Sequence, residues 1–121
     1  MACILIIDDD EQIRKTLRAT LEREGHNVVE APDGYHGVQL FRRKGADLVI
    51  TDIVMPNKEG LETIRELRED CPDVKIVAIS GGGVIEPRFY LYLAQKSGAV
   101  RTLAKPFNRS ELLAAVDDLL A

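Results

Sequence analysis

This sequence predicts an α/β fold: a doubly wound, five-stranded parallel sheet whose strands alternate with five helices. Three observations predict it. Short apolar, β-branched runs, which is how strands buried on both faces of a parallel sheet read, alternate with segments whose apolar residues recur every three or four positions. The connections are short, with no linker or low-complexity tract, so residues 1–121 read as a single domain. Glycine or proline punctuates these connections, where helices stop and turns begin.

Cys3-Ile4-Leu5-Ile6-Ile7 is the first strand and ends on Asp8-Asp9-Asp10; residues 11–24 follow as a helix with Ile13, Leu17 and Leu21 inward, stopped by Gly25. Residues 27–31 make a shorter strand, Pro32-Asp33-Gly34 a turn, and 35–44 a helix with Val38 and Phe41 inward and Gly45 as its stop. Leu48-Val49-Ile50 begins the third strand, which closes on Asp52 before a loop marked by Pro56. Gly60 is expected to open a loop into a helix carrying Leu61, Ile64 and Leu67, closed by Cys71-Pro72-Asp73. Residues 74–79 form the fourth strand, ending on Ser80. After Gly81-Gly82-Gly83, Pro87 suits the first turn of a helix running to about Ser97, and Gly98 stops it. Residues 100–104 are the fifth strand, ending on Lys105-Pro106, and Asn108-Arg109-Ser110-Glu111 has the form of a capping box opening a last helix with Leu112, Leu113, Val116, Leu119 and Leu120.

With right-handed crossovers, such a chain takes the flavodoxin-like strand order 2-1-3-4-5, which puts strands one and three side by side at the switch point, where open α/β sheets keep their ligand sites. Their carboxyl ends carry Asp8, Asp9 and Asp52; the fourth strand adds Ser80 and the fifth Lys105, while the edge strand, ending Glu30-Ala31-Pro32, adds nothing obvious. Three carboxylates, a hydroxyl and an ammonium are thus expected at one exposed rim. A lone aspartate closing a strand is ordinarily a turn or cap residue; Asp52 has company.

Composition narrows the classes. Hydrophobic residues at 45% and charged residues at 30% are ordinary for a folded soluble domain, and no stretch approaches the length of a membrane span, so a cytoplasmic protein without membrane contact is expected. Two cysteines, Cys3 and Cys71, have neither disulfide-framework density nor metal-ligand spacing. A net charge of -4 argues against direct nucleic-acid binding. Arg14, Lys15, Arg18 and Arg23 on the first helix read as a solvated face, and His26 and His36 as surface residues away from the acidic rim.

Three crowded carboxylates repel and need a cation. Their donors are hard oxygens, without histidine or cysteine among them, which suits Mg²⁺ better than Zn²⁺. Three carboxylates and one lysine sum to -3 + 1 = -2, which a divalent ion neutralises, so that the pocket can admit a phosphoryl group. Asp52 would then be the nucleophile, with Mg²⁺ and Lys105 on the phosphoryl oxygens.

Ile4-Leu5-Ile6-Ile7-Asp8-Asp9-Asp10, the run from Leu48 through Asp52 to Met55-Pro56, Gly60, Ser80 and Ala104-Lys105-Pro106-Phe107 together resemble the receiver domain of two-component response regulators, over essentially the whole chain. The resemblance implies Asp52 as phosphoacceptor and Asp8 and Asp9 as the acidic pair binding Mg²⁺, with the backbone carbonyl of Val54 as a further ligand. It implies that Ser80 moves onto the phosphoryl oxygen, with Lys105 as the salt-bridge partner, and that the Lys105-Pro106 peptide is cis. It implies a sensor histidine kinase or phosphotransfer protein as donor, a downstream protein target or output domain as receiver of the signal, and room for a phosphorylation-dependent dimer. Such a module is not an enzyme acting on other substrates; it catalyses its own phosphorylation and dephosphorylation. Two departures stand out: Thr102 occupies a position where many receivers carry a switching aromatic, and the segment from Ser80 to Lys105 is roughly three residues long by comparison, an excess placed in 81–86 by its turn composition. Read-out is therefore expected through segment 81–92, which includes the start of the helix over 87–97, with that helix, the fifth strand and the last helix.

Two other classes stay open at this point. Asp8-Asp9-Asp10 contains the Asp-x-Asp of haloacid-dehalogenase-like phosphohydrolases, which would make Asp8 the nucleophile but leave Asp52 unexplained. Gly81-Gly82-Gly83 could cradle the phosphate of a flavodoxin-like cofactor, although without a following lysine and hydroxyl residue the signal is weak.

Overall fold

The computed structural model describes residues 2–53, 59–80 and 100–121. Within them lie β1 (Cys3–Ile7), α1 (Glu11–Arg23), β2 (Asn27–Ala31), α2 (Gly34–Lys44), β3 (Leu48–Asp52), α3 (Glu59–Asp70), β4 (Ile76–Ser80), β5 (Val100–Ala104) and α4 (Arg109–Leu120). The helix expected over 87–97 falls outside the described residues. All five strands are parallel and run in the order β2-β1-β3-β4-β5, as the pattern predicted.

The strands alternate their side chains between two cores. Leu5, Ile7, Val49, Ile76 and Ala78 face Val38 and Phe41 of α2 and Ile64 and Leu67 of α3. On the other face, Ile4, Ile6, Leu48, Ile50, Val77 and Ile79 meet Leu17 and Leu21 of α1 and Leu112, Val116 and Leu119 of α4. Covering both faces keeps the central β1 and β3 buried almost end to end, while the edge strands β2 and β5 carry polar residues, and each buried apolar side chain contributes about 1.5–3 kcal/mol of transfer free energy. The chemistry is thereby confined to the sheet's carboxyl edge.

Helix starts follow their caps. Asp10 accepts from the amides of Gln12 and Ile13, Asp33 from that of His36, and Asn108 with Glu111 forms the predicted capping box. Two boundaries differ from expectation. Gly60 stands inside the first turn of α3, because the packing of Ile64 and Leu67 outweighs glycine's weak helix preference. Val74 precedes β4, because its amide turns back to the Cys71 carbonyl at 3.0 Å although its side chain is buried.

At Gly37, α2 lies close against Ile7 of β1. A Cβ there would sit 2.7 Å from Cγ1 of Ile7, which is fully buried and has nowhere to go. Gly37→Ala therefore sets a gain in helix propensity of about 1 kcal/mol against overpacking of about 1–3 kcal/mol, and a net loss of stability is expected. Denaturant unfolding checks it, and an alanine variant as stable as the parent would show that α2 can slide away.

Candidate functional site

The acidic turn between β1 and α1 divides its labour. Asp10 is committed to the helix, its Oδ1 accepting from Gln12 N at 2.9 Å and Ile13 N at 3.3 Å. Asp8 is held by its main chain, whose amide donates to the Ala31 carbonyl at 3.2 Å, and its Oδ1 accepts from Asp10 N at 2.8 Å. Its other oxygen, Oδ2, is buried without a hydrogen-bond partner among the described residues. Asp9 points outward and is exposed.

Asp52 closes β3 in the neighbouring strand. Carboxylate oxygens of Asp8, Asp9 and Asp52 lie within 4.8 Å of one another. Lys105, from the end of β5, donates from Nζ to Asp52 Oδ2 at 3.1 Å, and the Lys105-Pro106 peptide is cis. Asp52 itself is only 4% exposed, so the expected exposed rim is in fact a buried floor with Asp9 at its mouth. Strand ends are legible in sequence; how deeply each end is buried is not. Burial pushes the Asp8 carboxyl up to about 6, the charges of Asp52 and Asp9 adding to the rise, while the Asp10 amide and Lys105 draw it back. Ser80 ends β4 in register with Ala104 of β5, its place given by the backbone alone. Val54 lies outside the described residues.

This donor set fits a hard divalent cation. Oδ2 of Asp8 is buried with no hydrogen bond from the described residues to offset its desolvation, and a cation among three carboxylates would offset it.

Sequence reasoning missed one part of the site's support. The basic face of α1 is solvated at Lys15 and Arg23, which are exposed, but Arg14 and Arg18 are paired: Arg14 Nε donates to Glu30 Oε1 at 3.2 Å and Arg18 Nη1 to Glu30 Oε2 at 2.8 Å. Arg14 Nη1 also donates to the Asp8 carbonyl at 2.7 Å. The edge strand thus contributes Glu30 after all. The available signal was two arginines one turn apart on the helix that follows a strand pairing with Glu30's strand. His36 is exposed and sits beside Asp33 at 2.9 Å; His26 is half-buried, its Nδ1 accepting from the Ala2 amide at 3.2 Å, rather than a free surface group.

Comparison with known proteins agrees with this geometry. A family model described as "Response regulator receiver domain" matches residues 4–117. Response regulator MprA of Mycobacterium sp. (strain KMS) is 35% identical over 117 residues, covering 97% of this chain and 50% of the relative. Chemotaxis protein CheY of Halobacterium salinarum is 33% identical, covering 97% of this chain and 95% of the relative. The chain therefore spans about half the length of the MprA proteins it matches and nearly all of the archaeal CheY. Among solved structures, chemotaxis protein CheY4 of Vibrio cholerae superposes with a TM-score of 0.87 at 27% identity, covering 99% of both chains, and a receiver domain protein of Clostridium thermocellum with 0.84 at 30%, covering 99% and 94%. Between a receiver, a phosphohydrolase and a flavin-type binder, these matches decide for the first: the chain belongs to the response-regulator receiver domains of two-component signalling.

Proposed function

We propose that this receiver accepts a phosphoryl group on Asp52, in a Mg²⁺-dependent reaction, from a phosphohistidine of a sensor kinase or phosphotransfer protein. A carboxylate oxygen of Asp52 forms the new O–P bond as the N–P bond to the donor imidazole breaks, giving an acyl phosphate and a free imidazole. Asp8, Asp9 and Asp52, with the Val54 carbonyl, would hold Mg²⁺, which when bound supplies the positive charge that offsets the phosphoryl oxygens. Lys105 stands on Asp52 Oδ2 and is the group to follow a phosphoryl oxygen, with Ser80 as the hydroxyl that joins it. The observation that carries the reading is the partnerless Oδ2 of Asp8 inside a trio of carboxylates. Incubation with Mg²⁺ and a small acyl phosphate or phosphoramidate, followed by mapping of acid-stable, base-labile phosphate, tests it; label on Asp8, or turnover of a phosphomonoester, would count against it.

The setting proposed is cytoplasmic, with a kinase or phosphotransfer donor and a downstream protein target or output domain, and without direct nucleic-acid contact. Among the described residues no helix is long and apolar enough to cross a membrane.

For the read-out, Thr102 is exposed at the middle of β5, paired with Ala78, and its side chain is too small to fill space vacated by Ser80. The reporting element proposed is segment 81–92, which lies outside the described residues, acting with the helix expected over 87–97, β5 and α4. Its three glycines lower the barrier to moving. Hydrogen exchange with and without a phosphate mimic is expected to change protection across 81–92; change confined to 100–105 would assign the switch to β5 instead.

A further inference from the structure

We propose that Arg14 is a positioning residue for the cation site: by tying the main chain of the acidic turn to Glu30 on the edge strand, it sets the divalent-cation affinity of Asp8 and Asp9. This rests on the reading of the acidic cluster as a divalent-cation site.

Arg14 joins two things that sequence keeps apart. Its Nη1 donates to the Asp8 carbonyl at 2.7 Å and its Nε to Glu30 Oε1 at 3.2 Å, with only 15% of the side chain exposed. Glu30 is 21% exposed, and its second oxygen is held by Arg18 at 2.8 Å, which is itself anchored by Glu22 at 3.1 Å. Both carboxylate oxygens of Glu30 are therefore committed, and Arg14 is clamped from its far side. Burial works against the charged form of Glu30, yet the hydrogen bonds from Arg18 and Arg14 prevail and hold its carboxyl below the usual range, so the clamp stays charged.

Asp8 and Asp9 are adjacent in sequence, repel each other and repel Asp52, and that repulsion works on the turn that carries them. Four ties oppose it: the Asp8 amide on Ala31, the Asp10 amide on Asp8 Oδ1, the Asp10 side chain capping α1, and the guanidinium on the Asp8 carbonyl. The guanidinium alone also brings positive charge. Its planar fork reaches carbonyl and carboxylate in two directions at once, which a lysine's single ammonium cannot reproduce. Outer partners of metal ligands typically carry about 10–100-fold in affinity.

The test is Mn²⁺ affinity by electron paramagnetic resonance, with thermal melts of the metal-free proteins alongside. Arg14→Gln is expected to weaken Mn²⁺ roughly tenfold and Glu30→Gln roughly threefold, with Arg14→Lys recovering only part of the loss. Because Glu30 acts through Arg14, the double variant should bind no more weakly than Arg14→Gln alone. Wild-type affinity in a folded Arg14→Gln variant, a lowered melting temperature without a change in affinity, or fully additive losses would each overturn the proposal. Should Arg14→Gln fail to fold, Glu30→Gln decides by itself, unchanged affinity counting against. A wild-type protein that binds no Mn²⁺ would overturn the underlying cation-site reading, a result distinct from a wild type that binds and variants that bind equally well.

Discussion

Asp52→Asn is expected to reduce phosphoryl labelling to background while leaving the fold intact. The substitution is nearly isosteric, which matters because Asp52 is buried and a larger change would disturb the packing at the end of β3. An amide oxygen can still accept from Lys105, which is 28% exposed in its side chain and keeps access to water. Removing the Asp52 charge also relieves a repulsion that raises the Asp8 carboxyl, so unfolding should show no loss of stability. Mn²⁺ binding should weaken together with labelling, since one of three carboxylates is gone. Undiminished labelling of a folded Asn variant would place the nucleophile elsewhere.

The second large effect is a stability that rises on acidification when no metal is present. Asp8 ionises near 6 in the folded protein and near 3.8 in the unfolded chain, so at neutral pH its charge costs the fold on the order of 3 kcal/mol. The sign follows from proton counting: between those two values the folded state holds the proton and the unfolded state does not. Stability contributed by the protonated form is therefore present below 3.8 and lost as pH rises through 6. Glu30 and Asp33, held low by Arg18 and by the His36 amide respectively, act in the opposite sense and only at more acid pH. Melts of the wild type and Asp8→Asn from pH 5 to pH 8 without metal isolate the effect: the Asn variant should be more stable by about 1–3 kcal/mol at pH 8, with the gap closing toward pH 5. Saturating Mg²⁺ should stabilise the wild type more at pH 8 than at pH 5.5, because protons compete for the same oxygens. A gap between the two proteins that stays constant with pH would refute the buried, raised carboxyl.

Asp8 also shows why part of this site escaped the sequence. Its residue type and its place at a strand end are local facts, but the burial of its Oδ2 is a property of the folded chain, in which its amide is tied to Ala31 of β2 and the carboxylate of Asp52 on β3 lies close by. The same holds for Glu30, whose partners lie 12 and 16 residues away on α1. Each of these charges reads in isolation as a solvated surface group.

What the sequence alone determined is the architecture and the meeting of three carboxylates and a lysine at one edge. Short apolar runs mark its central strands, periods of three to four mark its helices, and parallel strands joined by right-handed crossovers leave few orders, so β2-β1-β3-β4-β5 and the gathering of Asp8, Asp9, Asp52 and Lys105 at one edge followed from local pattern plus chain handedness. What only the tertiary structure decided is depth and pairing: that Asp52 is buried, that Asp10 is spent on a cap, that Asp8 keeps an oxygen without a partner, and that Arg14 is clamped between Glu30 and the Asp8 carbonyl. Desolvation and charge pairing depend on every segment that surrounds a group, and Lys105 reaches Asp52 across 53 residues of chain, so their strength is set by packing rather than by any stretch of sequence.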